Sequence, residues 1–510
     1  MFSHVKELIV VTTLACAVFV LARPVCLRFM TADDFALRRN VWLALTVCAF
    51  LSPTFWVYAG FAAVAILWAA RRDSNPIVLY VFLFAIIPNF TWYIPFIGAG
   101  QLFDLGQGRL LAIVLLSPIA VALGRRPATQ GTGRAWIDGC LIGFLLLQLV
   151  LPAPYETATN TARRAVLLML DFLVVYWAFS RALDRREKIV ETMATYVLMA
   201  AVYAAIGIFE SLRGWLMYEQ IPLEWGHPPY IGMYLLRADS LRAYASFGHS
   251  LTYGYALAMA LAFWLHLRAS VESTLVRRLT TLLIVAGVYV SHSRGPWLTA
   301  VVVYLVYSLL APGGVRAIAK SLAAGGMLAA GLALTPIGER VASTLPFIGT
   351  VEQNTIAERQ RLAEVSWALI QEHPVFGDPF VLNQMQELSW GQGFVDLMNG
   401  YAAITLFTGF AGLALFAGFF FGALAMAYVA RHKIRRVDAD MCSIGAALIA
   451  AMLGSAIFIA TAAVDWIEYV LVGMSVAYAA LAVRQAPASP QPEGAFAPPR
   501  AAGIRKRLPS

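Results

Sequence analysis

Charge is what this chain has least of. Only 13% of its 510 residues are Asp, Glu, Lys or Arg, against about a quarter in a soluble globular protein. With 60% hydrophobic residues, this excludes a soluble domain and leaves a polytopic, all-α membrane protein. The formal net charge of +9 is then no nucleic-acid signature, because the basic residues sit in short hinges between apolar runs. There they orient helices and meet anionic lipid. Cysteine is scarce too. Cys16, Cys26, Cys48, Cys140 and Cys442 lie in or beside apolar runs with no Cys-x-x-Cys pair, which argues against a disulfide framework and a thiolate metal site. His227 and His292 lack partners at metal-ligand spacing, so they read as structural and no metal is expected. A small-residue cleavage site is also missing: the run 1–22 is followed by Arg23 and Arg28, so it does not read as a removable signal peptide.

What is abundant is apolar sequence. The runs cover about 7–22, 41–52, 56–70, 77–95, 109–123, 135–151, 165–180 and 188–209, then 252–267, 278–291, 297–311, 318–335, 400–430, 443–463 and 466–484. Several fall short of the roughly 20 residues of a straight span, so the expectation is a bundle of about 12–15 spans, some broken or tilted. Basic hinges at Arg71-Arg72, Arg125-Arg126, Arg181–Lys188, Arg268–Arg278, Arg316–Lys320 and Arg431–Arg436 alternate with hinges that mostly lack them. The positive-inside rule puts these hinges in the cytoplasm and the loops 210–251 and 335–399 on the outer face. Arg163-Arg164 dissents. Residues 1–484 form the membrane domain on this reading, and the Pro/Ala-rich stretch 485–510 is a disordered cytoplasmic tail.

The longest lapse of apolar character runs from about Thr335 to Met398, a length at which a loop reads as functional. Within it, Ile356, Leu362, Val365, Leu369 and Ile370 recur at helical spacing while Arg359, Arg361 and Glu364 take other faces. His373-Pro374 should end that helix. The simplest picture is a polar lid resting on a membrane body.

Polar signals that do not look like hinges collect on the expected outer face: Arg237, Arg242 and His249 before one apolar run, Arg294 in the turn SHSRGP, and Arg359 and Arg361 in the lid. Outer arginines run against the positive-inside bias and suit an anionic headgroup, which a guanidinium binds through a planar fork. The Ser and Gly of SHSRGP add backbone N–H groups ahead of a helix. Each residue also has a plainer reading. Arg294 can snorkel or cap, Arg237 can be a solvated loop charge, and Arg359 and Arg361 can serve the polar face of an amphipathic helix. Trp92, Tyr93, Tyr230 and Trp390 can stack on sugars or simply form an interfacial belt. Their convergence on one face is what favours function.

In order and spacing, RAYASFGHSLTYGYAL, SHSRGPWL, ERQRLAEVSWALIQEHPVFGDPF and MNGYAAITLFTGFAG resemble the O-antigen ligase and O-antigen polymerase superfamily. Its last motif is His-(Asn/Ser/Gln), nine residues, Gly, two residues and Gly/Thr/Tyr; here Asn399, Gly409 and Gly412 hold the corresponding places. The resemblance spans about 240–430. It implies a multi-pass protein of the bacterial inner membrane with a C-type glycosyltransferase-like architecture and a periplasmic active face. The implied reaction moves a glycan from undecaprenyl pyrophosphate to an acceptor hydroxyl, either a growing glycan or, in ligases, lipid A core. It implies Arg242 and Arg294, with Arg359, as pyrophosphate ligands, no cofactor or metal, and assembly partners such as a flippase or chain-length regulator.

One departure stands at the centre. Met398 occupies the family's His position, the implied general base, and methionine cannot take a proton. This counts against a standard ligase and leaves Asp396 and His249 as substitutes, although Asp396 also sits where a helix N-cap belongs and a His ahead of a helix is often simply packed. A non-catalytic binder of lipid-linked glycan remains open for the same reason. A transporter would show paired halves or charges at mid-span, whereas the sequence has no evident repeat and its runs are nearly free of charge.

Overall fold

The computed structural model describes residues 2–88, 90–96, 100–125, 132–227, 236–237, 240–333, 353–388, 397 and 399–485. It is a helical bundle. In chain order the helices are α1 (Phe2–Cys26), α2 (Ala32–Leu51), α3 (Phe55–Ala70) and the short α4 (Val78–Leu83). A β-hairpin, β1 (Trp92–Phe96) and β2 (Gly100–Leu105), leads to α5 (Gln107–Gly124), α6 (Thr132–Val150) and α7 (Ala158–Ala182). Then come α8 (Arg186–Arg213), α9 (Gln220–Glu224), α10 (Ser250–Leu267), α11 (Thr274–Val290), α12 (Arg294–Leu310) and α13 (Gly314–Ala333). The last are α14 (Gln353–Glu372), α15 (Gly400–Ile434), α16 (Ala439–Ile459) and α17 (Trp466–Gln485). Among the described residues, nine helices are long and apolar enough to cross a membrane, and Phe55–Ala70 and Arg294–Leu310 are shorter apolar ones.

The run 77–95 is corrected by the structure. It crosses the bundle without being a full helix: α4 accounts for six residues, and the chain then opens out toward the hairpin. Asn75 Nδ2 reaches Glu191 Oε2 (3.1 Å) at one end, and Trp92 stacks on Phe55 (4.2 Å) at the other. Every side chain of α4 is buried, so its apolar sequence reflects protein packing rather than a lipid-facing span.

The basic hinges gather at one end of the bundle. Arg28 donates to Ser270 O (2.6 Å) and Glu272 (2.9 Å), Arg186 lies 3.7 and 3.6 Å from Asp438 and Asp440, and Arg431 donates to Leu310 O (2.6 Å). The described residues of the other loops meet at the opposite end, here called the site end. There His4 contacts Glu224 (2.6 Å), and Trp225 Nε1 donates to Ser52 O (2.8 Å). Arg163 and Arg164, which broke the hinge pattern, are accounted for at this end. Arg163 donates to Gln101 O (2.5 Å) and Leu102 O (2.8 Å) of β2, and Arg164 pairs with Glu156. Arg163 holds the hairpin to α7, and Arg164 ties α7 to the turn that precedes it.

The helices extend beyond the apolar runs and take in charged residues that the runs left out. Arg38, buried at the basic end, is held by Asp73 (2.7 Å to each oxygen), Glu191 (2.7 Å) and Thr195 (3.1 Å). Arg109 binds Asp104 (2.5 Å) and Asp171 (2.8 Å), Arg181 binds Asp138 (2.5 Å), and Glu210 and Glu468 are fully buried. Asp171 stands in a π-helical turn of α7, Met169–Leu173. These charges serve to tie helices together: each Arg–carboxylate pair joins segments that neither helix propensity nor lipid would hold in register.

Residues 353–372 form the expected amphipathic helix, stopped before Pro374. Ile370, Val381, Met385 and Leu406 make a small core in which Leu362, Val365 and Leu369 take part, while Arg361 and Glu364 face outward. The lid thus lies on α15. Ile356 and Arg359 belong to α14, but their side chains fall outside the described residues. The tail 486–510 also lies outside them.

Candidate functional site

Between Leu241 and Ser250 the chain makes no regular structure, so each buried amide must find a partner elsewhere. Ala243 N donates to Val290 O (3.0 Å), and Tyr244 N and Ala245 N donate to Glu210 Oε2 (3.3 and 2.8 Å). Ser246 donates to Ala85 O, which also accepts from Tyr203. Tyr203 lies about 15 Å along α8 from its end at Arg213, so the turn 243–247 is sunk into the bundle. Ala245 holds φ at +48°, a left-handed conformation costly for a residue with a Cβ.

Arg242 stands immediately before this turn, half-buried, and donates from Nη2 to Ser293 Oγ (2.8 Å). That oxygen lies 2.9 Å from Ser291 O and 3.2 Å from Ser250 Oγ. A hydroxyl has one proton, so Ser293 accepts from Arg242 while donating either to the Ser291 carbonyl or to Ser250 Oγ. Its side chain makes no cap to α12, and Arg294 is the first residue of that helix. His292, also left-handed at φ +45°, turns the chain from α11 to α12 with its ring packed near Tyr289 and Trp297. Two arginines 52 positions apart therefore arrive at one place, beside a helix N-terminus whose dipole favours anions.

His249 is the N-cap of α10, its Nδ1 accepting from Leu251 N (3.1 Å). Burial first, and the Arg242 charge second, push its pKa down to about 4. The ring is neutral at pH 7 but a weak base.

Two further helix ends close in. A Cβ on Gly295 would stand 2.5 Å from Thr461 Oγ1, and one on Gly400 would stand 2.9 Å from Ala462 O, so α12, α16 and α15 converge on the 461–462 turn. Asn399 caps α15, its Oδ1 accepting from Tyr401 N (3.0 Å) and Ala402 N (3.2 Å). Gly409 breaks α15 at φ +65°, ψ −172°. Into the break fits the segment after Pro374: Phe410 N donates to Pro374 O (2.8 Å), Ala411 N to Val375 O (3.1 Å), and Asp378 N to Leu406 O (2.8 Å). A Cβ on Gly409 would lie 2.2 Å from Val375 backbone, so the position needs glycine twice over. Gly412 is buried one turn on, against Thr408 and Leu147. Asp396 and Met398 lie outside the described residues.

Asp465 and Glu468, which the sequence does not single out, also belong to this end. Asp465 opens α17 beside Thr252, its carboxylate accepting from Trp466 N (2.7 Å), while its own N–H donates to Glu468 Oε2 (2.8 Å). Burial raises the Asp465 pKa. Glu468 continues inward through Ser455 (3.3 Å) to Tyr255 (2.7 Å from Ser455). The spacing of the two acids in VDWIEY is that of a capping box, the one signal that would have found them. Trp92, a candidate sugar platform, is instead occupied by Phe55, Trp225 and His227. Tyr93 is exposed, and Tyr230 and Trp390 lie outside the described residues.

Compared with known families, residues 279–417 match the family model described as O-Antigen ligase. The match runs from α11 through the first half of α15, and so takes in Arg294, α14, Asn399, Gly409 and Gly412 but not Arg242 or His249. No curated protein matches the chain.

Proposed function

Taking as premise that the chain belongs, through residues 279–417, to the O-antigen ligase and polymerase superfamily, we propose that it is a bacterial inner-membrane glycan polymerase. It would take undecaprenyl-pyrophosphate-linked repeat units on the periplasmic side and transfer them to the hydroxyl of an acceptor glycan. The observation that carries this reading is the meeting of Arg242 with Ser293 beside Arg294 at the N-terminus of α12. In the transfer, the acceptor oxygen attacks the anomeric carbon, the bond to the pyrophosphate oxygen breaks, and the electron pair leaves with the pyrophosphate. Two guanidinium groups and a helix N-terminus would stabilise that developing charge, so the reading calls for no metal. Arg359 on α14 is the third candidate ligand. The proton of the acceptor hydroxyl would pass to Asp396, with His249 in reserve because its cap role and low pKa suit it less. Met398 in place of the family's histidine favours polymerisation over ligase-type transfer to a lipid.

The test is transfer by purified protein from lipid-linked repeat units, with product length read on a gel. Arg242→Ala and Arg294→Ala are each expected to lower the rate by about 100-fold or more with normal insertion, and Lys to restore only part, since an ammonium lacks the bidentate fork. Asp396→Asn keeps a capping side chain but removes the base, and should cost about 100-fold. Full activity in both Arg→Ala variants would dispose of the pyrophosphate site.

A further inference from the structure

Glu210 is a fully buried carboxylate near the end of α8, and every hydrogen bond found for it is to main chain from elsewhere. Oε1 accepts from Met217 N (2.9 Å), and Oε2 accepts from Ala245 N (2.8 Å) and Tyr244 N (3.3 Å). Its own carbonyl accepts from Trp215 N (3.2 Å). One residue thus ties the chain leaving α8 to the sunken turn 243–247. Removing a carboxylate from water is costly, and three amide donors are the kind of partner that offsets the cost. What the arrangement secures is a turn that would not hold itself, since Ala245 sits at φ +48°. Arg242 is two residues upstream of the amides that Glu210 binds, and Ala243 between them is pinned to Val290 O, next to the SHSRGP turn.

We propose that Glu210 is a positioning residue for donor binding: by fixing the 243–247 turn it sets the Arg242 guanidinium against Ser293, in the place where a diphosphate-linked donor is held. The inference rests on the reading of Arg242 as a pyrophosphate ligand. Both carboxylate oxygens of Glu210 face N–H donors, so glutamine, isosteric and uncharged, must turn an NH₂ group toward one of them. Glu210→Gln should therefore loosen the turn without touching substrate.

The experiment compares Glu210→Gln, Arg242→Lys and the double variant for transfer from lipid-linked repeat units, with inorganic pyrophosphate as a competing inhibitor. Glu210→Gln should raise the donor KM by about tenfold or more and weaken pyrophosphate inhibition in parallel, with kcat changed less, the size of effect a small misplacement of a binding group produces. In the Arg242→Lys background the further loss should shrink to about twofold or less, because the two residues act through one contact. Hydrogen exchange of the amides 243–247 should speed up in Glu210→Gln and not in Arg242→Lys. A parental donor KM in Glu210→Gln, or full additivity in the double variant, overturns the inference. Should Glu210→Gln fail to insert, Glu210→Asp decides the matter: it keeps the charge but is too short to reach both sets of amides, so a raised KM supports the inference and a parental one overturns it. If Arg242→Ala itself proves fully active, the reading of Arg242 as a pyrophosphate ligand has failed, an outcome distinct from an inactive Arg242→Ala beside a normal Glu210→Gln.

Discussion

Two buried charges, one at each end of the bundle, are used in opposite ways. At the basic end a guanidinium is the hub: Arg38 gathers Asp73 and Glu191 and so joins α2, the α3–α4 connection and α8 through side chains alone. At the site end a carboxylate is the hub, and what it gathers is backbone: Glu210 binds three amides, and Glu468 binds the N–H of Asp465. Charge paired with charge fixes helices against one another. Charge paired with main chain fixes irregular turns, and irregular turns are where a ligand meets groups that regular helices keep to themselves. Buried charge in a membrane segment is therefore not by itself a mark of a transport path. What it is bonded to decides what it does.

The largest effect is expected at Arg38. Arg38→Met leaves Asp73 and Glu191 buried without their cation, a change expected to cost about 3–5 kcal/mol. Melting of the purified protein in detergent should fall sharply while the donor KM of surviving protein stays parental; a changed KM with unchanged melting would erase the distinction between the two ends. Next comes Gly409→Ala, which forces a Cβ into the Val375 backbone and a left-handed φ on alanine, costing about 1–3 kcal/mol for the conformation before any clash. Limited proteolysis should then cut within 373–388 at protease levels the parent resists.

A smaller effect is tied to pH. The folded-state pKa of His249 lies near 4, below its ordinary 6.5, so between those values the unfolded chain binds a proton that the native chain does not. Its contribution to stability is whole above about pH 6.5 and is lost as pH falls toward 4. His249→Asn keeps a capping side chain and should flatten the melting temperature across that window, leaving it unchanged above pH 7. The smallest effect is expected of Arg163→Ala. It removes two hydrogen bonds to the hairpin in a half-exposed position, about 1 kcal/mol or less in melting, with no change in topology by cysteine labelling.

Much of this was legible in the sequence where one residue type repeats at one spacing. The hinges alternate, α14 shows its apolar stripe, and Pro374 marks its stop; the structure has all three. Arg242 and Arg294 stood out because arginine on that face runs against a bias. Glu210 did not stand out, since an acid at the end of an apolar run looks like an ordinary boundary and its partners are amides 7 to 35 positions away that carry no side-chain signature. Asp465 was hidden for the same reason, in a hinge too short to draw notice. The run 77–95 misled because apolar sequence does not say whether lipid or protein covers it. α4 packs chiefly against α8, far along the chain.

The break at Gly409 sets an order of assembly. A helix opened at one rung leaves amides and carbonyls that an apolar surrounding cannot satisfy. Here the missing partners are Pro374 O, Val375 O and Asp378 N, all earlier in the chain than the helix that needs them. During synthesis they emerge before α15 does, and only some thirty residues separate the two. Main chain recognises main chain at this joint. The exposed side chains of Val375 and Phe376 are therefore at liberty to change, and a lid of different sequence can be grafted at this point provided that it keeps the turn closed by Gly377 N on His373 O and finds a glycine waiting.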